Sequence, residues 1–327
     1  MRALVVDSLG PNYEGVDIKD IPVPTPRAGE VLVRVKAASV NFPDILMTKG
    51  EYQLKPPLPF VGGMELAGEV TALGEGVTQF AVGDAVVGGA KLGGFAEFAV
   101  LPAAAIRAKP DNLSFSQAAA IGAAYLTAYV ALVRRARLEP GEWVLVHGAA
   151  GGVGLAAVDL ARALGARVIA ASASDAKLKI VAETCAPDAT LNVTGGFREQ
   201  VKAITGGAGA DVIYDPVGGD VFDESTRCIA FDGRLLVIGF TSGRIPTISV
   251  NMPLIKGFSV IGVRAGEYGR QFPERGRENM DAVWAMAAAG TIHPRVHAEL
   301  PLADWRAAFD LLTDRQVVGK AIIRPDL

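Results

Sequence analysis

A glycine-rich turn near the middle of the chain has the spacing of an anion-binding loop. It lies in the segment "WVLVHGAAGGVGLAAVDLARALGARVIAASASDAK", residues 143–177, where an apolar strand precedes the turn and a helix follows it. Gly151 allows the backbone around Gly152 and Val153 to approach a pyrophosphate, and Gly154 allows the helix to pack close to the strand. The unpaired N–H groups at the start of the helix face the anion. The turn therefore predicts a dinucleotide site, and a purely structural turn is the alternative.

The residues that follow the second strand indicate which dinucleotide would bind. An Asp or Glu about 20 residues beyond such a turn normally binds the ribose hydroxyls of NAD. Ser172, Ser174 and Lys177 occupy that region instead. A hydroxyl with an ammonium suits a 2′-phosphate, because charge-assisted hydrogen bonds are about twice as strong as neutral ones. This favours NADPH over NADH, although a serine that caps a helix and a solvated Lys177 would leave the same pattern.

Length and composition favour a soluble protein of two domains that acts on small molecules. The chain has 327 residues, of which 50% are hydrophobic and 20% are charged. Its net charge is −3 and it has no long basic run, so we expect neither nucleic acid nor a membrane surface as a partner. Cys185 and Cys228 lack metal-type spacing and suit core positions in a reducing cytoplasm. The apolar part of "MRALVVDSLG" is too short for a signal peptide, so a cytoplasmic location is expected.

One uncharged stretch, residues 112–133, is nominally long enough to span a bilayer. Polar residues and many alanines dilute it, and Ser116 followed by helix-forming residues resembles a capped helix start. The stretch therefore predicts a buried helix.

The order of strands and helices changes along the chain. Short strands separated by Gly and Pro make the first third β-rich, namely those in "VLVRV", "GEVTAL", "DAVVG" and "FAEFAVL". Strands then alternate with helices, at 143–147, 153–164, 167–171 and 175–185, followed by strands in "ADVIYDPVGG", "GRLLVIGF" and "FSVIGV". Nearly continuous apolar strands that alternate with helices predict a parallel sheet covered on both faces.

The last 60 residues return to another pattern. Two helices are predicted at 278–289 and 302–313, and a closing strand lies in "GKAIIRP". This strand has no partner nearby in sequence, so we expect it to pair with the β-rich first third. The nucleotide domain, 125–264, would then be inserted in a discontinuous domain formed by 1–124 and 265–327.

The chain resembles the medium-chain dehydrogenase/reductase superfamily, and within it the zinc-independent quinone oxidoreductases. The resemblance extends nearly end to end through the motifs "AASVNFPDILMTKGEY", "GGMELAGEV", "GVTQFAVGDAVVG", "LTAYVAL", "VHGAAGGVGLAAVDLARALGA", "DVIYDPVGG" and "GRLLVIGF". It implies an α/β fold in which a Rossmann-type doubly wound parallel sheet is inserted in a β-rich GroES-like catalytic domain. It also implies hydride transfer from NADPH by a protein that is commonly an oligomer.

The positions that hold catalytic zinc in related alcohol dehydrogenases carry other residues here. The resemblance places Asn41 and the triplet Gly63-Met64-Glu65 at those positions, and neither Asn nor Met is a normal zinc ligand. His147 lies in an apolar strand and is interpreted as a core residue, whereas His293 and His297 are interpreted as surface residues. We therefore expect no metal.

Three residues are implied to take part in the reaction. The Asn41 amide could donate to a developing oxyanion, or it could cap the turn before Pro43. The Tyr52 phenol could relay a proton, or its ring could pack on a proline-rich loop. Arg264 could attract an anionic product, or it could be an ordinary surface residue. Asp44 is interpreted as a helix cap.

Further residues are implied to contact the cofactor. Thr127 would reach its nicotinamide side, and Lys320 would also approach it. The ends of two later strands would contribute Val217 and the residues Gly239, Phe240 and Thr241, because ligands gather at the carboxyl ends of parallel strands. Val193 stands where several NADPH-dependent relatives have a tyrosine, which weakens the case for NADPH. Gly62 and Gly122 stand where many relatives have proline.

The sequence thus favours an NADPH-dependent reductase of quinones or other electron-poor α,β-unsaturated carbonyls. An enoyl-CoA reductase and a non-catalytic NADPH- or RNA-binding crystallin-like protein are the alternatives. A homodimer is expected, because an edge strand such as "FSVIGV" could extend the sheet across a two-fold axis.

Overall fold

The computed structural model describes residues 1–327 and divides them into two compact units. The first unit comprises Met1–Ala123 and Pro294–Leu327, and the second comprises Ala124–His293. None of the helices combines the length and the apolar character that crossing a membrane requires.

The first unit is mainly β-structure up to residue 123. Its strands are β1 Arg2–Val6, β2 Val16–Asp20, β3 Glu30–Ser39, β4 Phe60–Val61, β5 Glu65–Leu73, β6 Ala85–Gly89, β7 Phe98–Pro102 and β8 Ile106–Ala108. Helix α1 is Phe42–Lys49, a 3-10 turn lies at Ala103–Ala105, and α2 is Phe115–Ala119. Helix α3, Gly122–Tyr129, begins at the end of this segment and continues into the second unit. Strand β3 is central, because it pairs with β5 along one edge and with β7 along the other.

The second unit continues with a π-helical segment, Val130–Arg135, and then alternates strands with helices. The strands are β9 Trp143–Val146, β10 Arg167–Ser172, β11 Ala189–Asn192, β12 Ala210–Asp215, β13 Ile229–Val237 and β14 Ser259–Gly262. The helices are α4 Gly152–Ala163, α5 Asp175–Cys185, α6 Arg198–Ile204, α7 Gly219–Ser225, α8 Asn251–Lys256, α9 Ala265–Gln271 and α10 Pro273–Ala288.

These six strands form one parallel sheet in the order β11-β10-β9-β12-β13-β14. This is the order of a doubly wound dinucleotide-binding fold, and it reverses direction between β9 and β12. Every residue of β9 is buried because the sheet is covered on both faces. The predicted fold class is confirmed, and the carboxyl ends of β9 and β12 are the place where such a sheet binds its ligand.

The chain returns to the first unit through β15 Val296–Pro301, a 3-10 turn at Leu302–Asp304, α11 Trp305–Thr313 and β16 Lys320–Arg324. The closing strand β16 pairs with β3, with Ile322 opposite Ser39, as its lack of a local partner indicated. Strand β15, which the sequence analysis did not predict, pairs parallel to β16.

The second domain boundary lies later than predicted. The prediction placed it after residue 264, whereas the structure assigns α9 and α10 to the second unit, which ends at His293. Hydrogen bonds explain the difference: Arg134 of the π-helical segment donates to Asn279 at 2.6 Å and to Glu278 at 2.8 Å, both on α10. Helix α10 begins at Pro273, earlier than the predicted helix 278–289, and its amphipathic pattern does not indicate the unit against which the apolar face packs.

The uncharged stretch 112–133 is largely buried, but it is not one helix. It forms α2, α3 and the start of the π-helical segment, with a break around Ala120. Ser114, not Ser116, caps α2, because its Oγ accepts a hydrogen bond from the Gln117 N–H at 3.1 Å.

Candidate active site

Three polar side chains from distant parts of the sequence meet in the interior of the first unit. Asn41 precedes α1, Glu65 begins β5, and Lys320 begins β16. Strand β3 pairs with both β5 and β16, so this sheet brings the three residues together. Each side chain is more than nine-tenths buried. The Lys320 ammonium donates to Asn41 Oδ1 at 2.6 Å and to Glu65 Oε1 at 3.2 Å.

The hydrogen bonds of this cluster are nearly complete. Asn41 Nδ2 donates to Glu65 Oε1 at 2.9 Å and to Ser39 O at 3.3 Å, so both N–H bonds of the amide are used within the protein. Glu65 Oε2 accepts from the Ala123 N–H at 2.7 Å. Lys320 has three N–H bonds and uses two of them. The donor that remains for an external oxygen therefore belongs to Lys320, and Asn41 orients it.

Asp44 lies beside this cluster in the first turn of α1. Its Oδ2 accepts from the Asn41 N–H at 2.9 Å, as expected of a helix cap, and its Oδ1 is buried without a hydrogen-bond partner. Burial raises the pKa of Asp44 to about 7, against the lowering effects of the Asn41 N–H and of Lys320. Glu65 adds a smaller raising effect on the same pKa. Burial thus favours the protonated form of this carboxyl.

Tyr52 follows α1 and is half-buried. Its ring packs against the hydrophobic core of the first unit, which agrees with the packing alternative and leaves its catalytic role a prediction.

The glycine turn of the second unit connects β9 to α4 as predicted. Gly151 is the N-cap of α4, so this turn leads directly into the unpaired N–H groups of the helix start. A Cβ on Gly154 would lie only 2.1 Å from Gly148 O, so only glycine allows the helix to pack this close to the turn. Gly151 is exposed and Gly152 and Val153 are half-exposed, which leaves the turn open to an anion.

Loops from neighbouring strands hold one another at the same edge of the sheet. Asp215 Oδ1 accepts from the N–H groups of Val217 at 2.8 Å and of Gly218 at 2.9 Å, which fixes the loop after β12. The loop after β13 bonds to it, because the Thr241 N–H donates to Pro216 O at 3.1 Å. The structure therefore brings the predicted residues Val217 and Thr241 together, with Gly239 and Phe240 in the same loop as Thr241.

The residues expected to select the 2′-phosphate lie at the end of β10 and the start of α5. Ser172 ends β10, and Ser174 is the N-cap of α5. Ser174 Oγ accepts from the Lys177 N–H at 3.4 Å, which leaves the hydroxyl proton free to donate. Capping and ligand binding are thus compatible here. The carboxylate of the nearby Asp175 accepts from Asn192 Nδ2 at 2.7 Å.

Two further predicted residues lie elsewhere in the second unit. Thr127 is half-buried on α3, and Arg264 is exposed at the N-cap of α9, just beyond the carboxyl end of β14. These positions do not test the roles predicted for Thr127 and Arg264, which remain predictions.

The three histidines have the environments of structural residues. His147 is buried, its Nε2 lies 2.9 Å from Ser225 Oγ, and burial lowers its pKa to about 3. His293 is exposed as predicted. His297 is half-buried rather than exposed, since its Nδ1 accepts from the Val318 N–H at 3.3 Å.

The two cysteine thiols differ in burial. Cys228 is buried, and desolvation raises its pKa to about 12, whereas Cys185 is half-buried.

Comparisons with known proteins agree with this architecture. A model of the alcohol dehydrogenase GroES-like domain matches residues 27–111, and a model of the zinc-binding dehydrogenase matches residues 152–285. A quinone oxidoreductase-like protein 2 homolog from Nematostella vectensis is 43% identical over 298 residues, which cover 90% of this chain and 81% of that protein. The chain belongs to the quinone oxidoreductase-like group of the medium-chain dehydrogenase/reductase superfamily. It is therefore an oxidoreductase.

Solved structures in this superfamily have the same fold. The Escherichia coli quinone oxidoreductase in complex with NADPH has a TM-score of 0.88 and 30% identity, covering 99% of this chain and 100% of that one. The enoyl reductase CurK has a TM-score of 0.89 and 27% identity, covering 99% of both chains.

Zinc is implied by the name of one matching model, but the residues of this chain do not fit a zinc ion. A zinc ion at Asn41 and Glu65 would have to displace the Lys320 ammonium, which already bonds to oxygens of both residues. Met64, the neighbour of Glu65, packs against the hydrophobic core. The chain contains no group of three His, Cys, Asp or Glu side chains that could hold a metal ion.

Sequence reasoning missed two residues that organise these sites. The sequence identifies Glu65 only as part of the Gly63-Met64-Glu65 triplet, which resembles a zinc-binding position of related proteins. Its contacts with Lys320 and Ala123 form only in the tertiary fold. Asp215 gave a weak signal, since an Asp followed by Pro and Gly at a strand end is typical of a loop fixed by its own side chain.

Replacing Asp44 should change how stability depends on pH. The folded protein holds the Asp44 proton more tightly than the unfolded chain, so this stabilisation is complete below pH 3.8 and is lost as pH rises to about 7. We expect the free energy of unfolding of wild type, minus that of Asp44→Asn, to fall across that window by about 1 kcal/mol per pH unit. Urea unfolding at several pH values measures it.

The exposed residue Asp111 of the same unit provides the control, as Asp111→Asn. A difference between wild type and Asp44→Asn that stays constant with pH would contradict the assignment.

Proposed function

We propose that this protein is a zinc-independent, NADPH-dependent reductase that transfers hydride to quinones or related electron-poor α,β-unsaturated carbonyls. When bound, the nicotinamide supplies the hydride. The protein then has to bind the cofactor, orient the acceptor and stabilise the negative charge that hydride addition leaves on the acceptor oxygen.

The main support for the proposal is that Asn41 and Glu65 hold the Lys320 ammonium through hydrogen bonds. This arrangement puts a fixed positive charge beside Asn41 and Glu65, two residues that resemble the zinc-binding positions of related alcohol dehydrogenases. One N–H of this ammonium is not used by the protein. A fixed hydrogen-bond donor can stabilise the oxyanion of an acceptor that is already electron-poor. An ammonium does not generate the alkoxide that alcohol oxidation needs from a Lewis acid. This chemistry favours quinones and enones over simple alcohols.

NADPH is supported by residues of the second unit. The start of α4 suits a pyrophosphate, and Ser172, Ser174 and Lys177 suit the 2′-phosphate of the adenosine. Asp175, the nearest carboxylate in the sequence, is engaged by Asn192. The NADPH complex of the Escherichia coli relative agrees with this preference.

The remaining predicted residues complete the proposal. Thr127 and Lys320 contact the nicotinamide half of the cofactor, and Val217 with the loop 239–241 contacts it at the sheet edge. Tyr52 lines the acceptor site, and the exposed Arg264 attracts polar acceptors or anionic products.

An enoyl-thioester reductase is the second candidate, since CurK has the same fold along nearly the whole chain. The two reactions share the hydride transfer and differ in the acceptor.

An acceptor panel separates the candidates. We expect NADPH oxidation with 9,10-phenanthrenequinone and 1,4-benzoquinone at a kcat/KM about tenfold or more above that with crotonyl-CoA, because no basic cluster is assigned to the CoA phosphates. Absorbance of NADPH under steady-state conditions measures the rates. A preference for crotonyl-CoA would select the second candidate, and NADPH binding without turnover would indicate a non-catalytic role.

The 2′-phosphate assignment has its own test. Loss of the Lys177 ammonium should raise the Kd for NADPH about tenfold or more, the range for a charged hydrogen bond, and leave the Kd for NADH nearly unchanged. Calorimetric titration of Lys177→Ala measures both constants. Lys179→Ala, an exposed lysine on the same helix, is the matched control. Equal losses for NADPH and NADH would argue against the assignment.

We further propose a homodimer through β14. This strand is an edge of the parallel sheet, bonded only to β13, and its unpaired backbone groups can accept another strand. Large apolar side chains are exposed on it and nearby, namely Phe231, Val250, Leu254, Ile255 and Val260. A second copy across a two-fold axis would cover this apolar surface.

Light scattering tests the dimer. Wild type should have twice the chain mass of 34.0 kDa, and Val260→Lys should shift the protein towards one chain mass because a lysine on an edge strand opposes strand pairing. Val82→Lys, at an exposed valine of the first unit, should remain a dimer. A wild type of one chain mass, or an unchanged Val260→Lys mass, would refute the interface.

A further inference from the structure

Glu65 connects two parts of the structure that the proposed function assigns to the cofactor. One carboxylate oxygen, Oε1, accepts from Lys320 and from the Asn41 amide. The other, Oε2, accepts from the backbone N–H of Ala123 at 2.7 Å. Ala123 lies in the first turn of α3, and the same helix carries Thr127 one turn further along. A single buried carboxylate therefore fixes both the ammonium and the start of this helix.

Gly122 is what makes the second contact possible. A Cβ at this position would lie 2.7 Å from Glu65 Oε2, closer than real Cβ atoms approach a neighbour. Any larger residue at position 122 would displace the Glu65 carboxylate. This includes proline, which the family resemblance places at this position in many relatives. The glycine thus gives Glu65 access to the Ala123 N–H.

We propose that Glu65 is a positioning residue that sets the geometry of Lys320 and of helix α3 for cofactor binding, and that Gly122 is required for this role. The inference depends on the proposed function, because only that proposal assigns Lys320 and Thr127 to the nicotinamide half. Glu65 acts through these two groups and does not touch the reacting atoms itself.

A double-mutant cycle on cofactor affinity tests the proposal. Glu65→Gln weakens the bond to the ammonium, and Gly122→Ala displaces the same carboxylate from the other side. Each single variant should raise the Kd for NADPH about tenfold, the effect of losing a charged hydrogen bond. Since both changes act through one carboxylate, the double variant should be no weaker than the weaker-binding single variant, a clear departure from additivity.

Three further measurements separate positioning from loss of stability. The Kd for NADH should rise by the same factor as that for NADPH, because the affected groups serve the half that both cofactors share. The kcat for quinone reduction at saturating NADPH should also fall, because the Lys320 ammonium is the proposed donor to the acceptor oxygen. The thermal unfolding midpoint reports folding. Gly62→Ala is the matched glycine control, since its Cβ would meet only the Phe95 ring, at 3.2 Å.

The outcomes are distinct. Wild-type affinity in both single variants, or strictly additive losses, would overturn the role of Glu65 and leave the proposed function intact. Losses of cofactor affinity that parallel the fall in the thermal unfolding midpoint would also overturn the role of Glu65. Failure of wild type to bind either nucleotide would overturn the proposed function and this inference together. Nucleotide binding without quinone turnover would refute only the reaction, since the Kd comparison would still decide the role of Glu65.

Discussion

The buried contact of the Lys320 ammonium with Asn41 and Glu65 is the interaction on which the structure of the candidate active site depends. Taking both charges out of water is costly, and the cost is offset only where the hydrogen bonds around them are complete. Here the amide of Asn41 and both carboxylate oxygens of Glu65 are satisfied inside the first unit. The single donor left over gives this unit a directed positive charge in its interior.

The second unit contains the proposed cofactor site. Its parallel sheet reverses strand order between β9 and β12, so the loops that follow these strands share one edge. The contact of Gly154 with the glycine turn and the hydrogen bonds from Asp215 fix those loops through backbone groups. The proposed anion site at this edge is built from backbone groups, whereas the proposed preference for NADPH rests on the side chains of Ser172, Ser174 and Lys177.

Local sequence patterns predicted the features that are local. The glycine turn lies between a strand and a helix because those residues are adjacent in the chain, and His147 was recognised as a core residue from its apolar neighbours. The contacts of Lys320 could not be predicted in this way, because they join residues 41, 65 and 320 through strand pairing. The domain boundary after residue 264 was wrong for a similar reason, since the pattern of α10 does not identify its packing partner. The environment of His297 likewise depends on a backbone N–H some 20 residues away in the sequence.

We propose that a lysine ammonium, rather than a metal, provides the positive charge at the candidate active site. Zinc content, measured by plasma mass spectrometry, and quinone reduction are compared before and after treatment with a strong chelator. We expect unchanged turnover in protein that holds far less than one zinc per chain. Turnover that is lost on chelation and returns when zinc is added would contradict it.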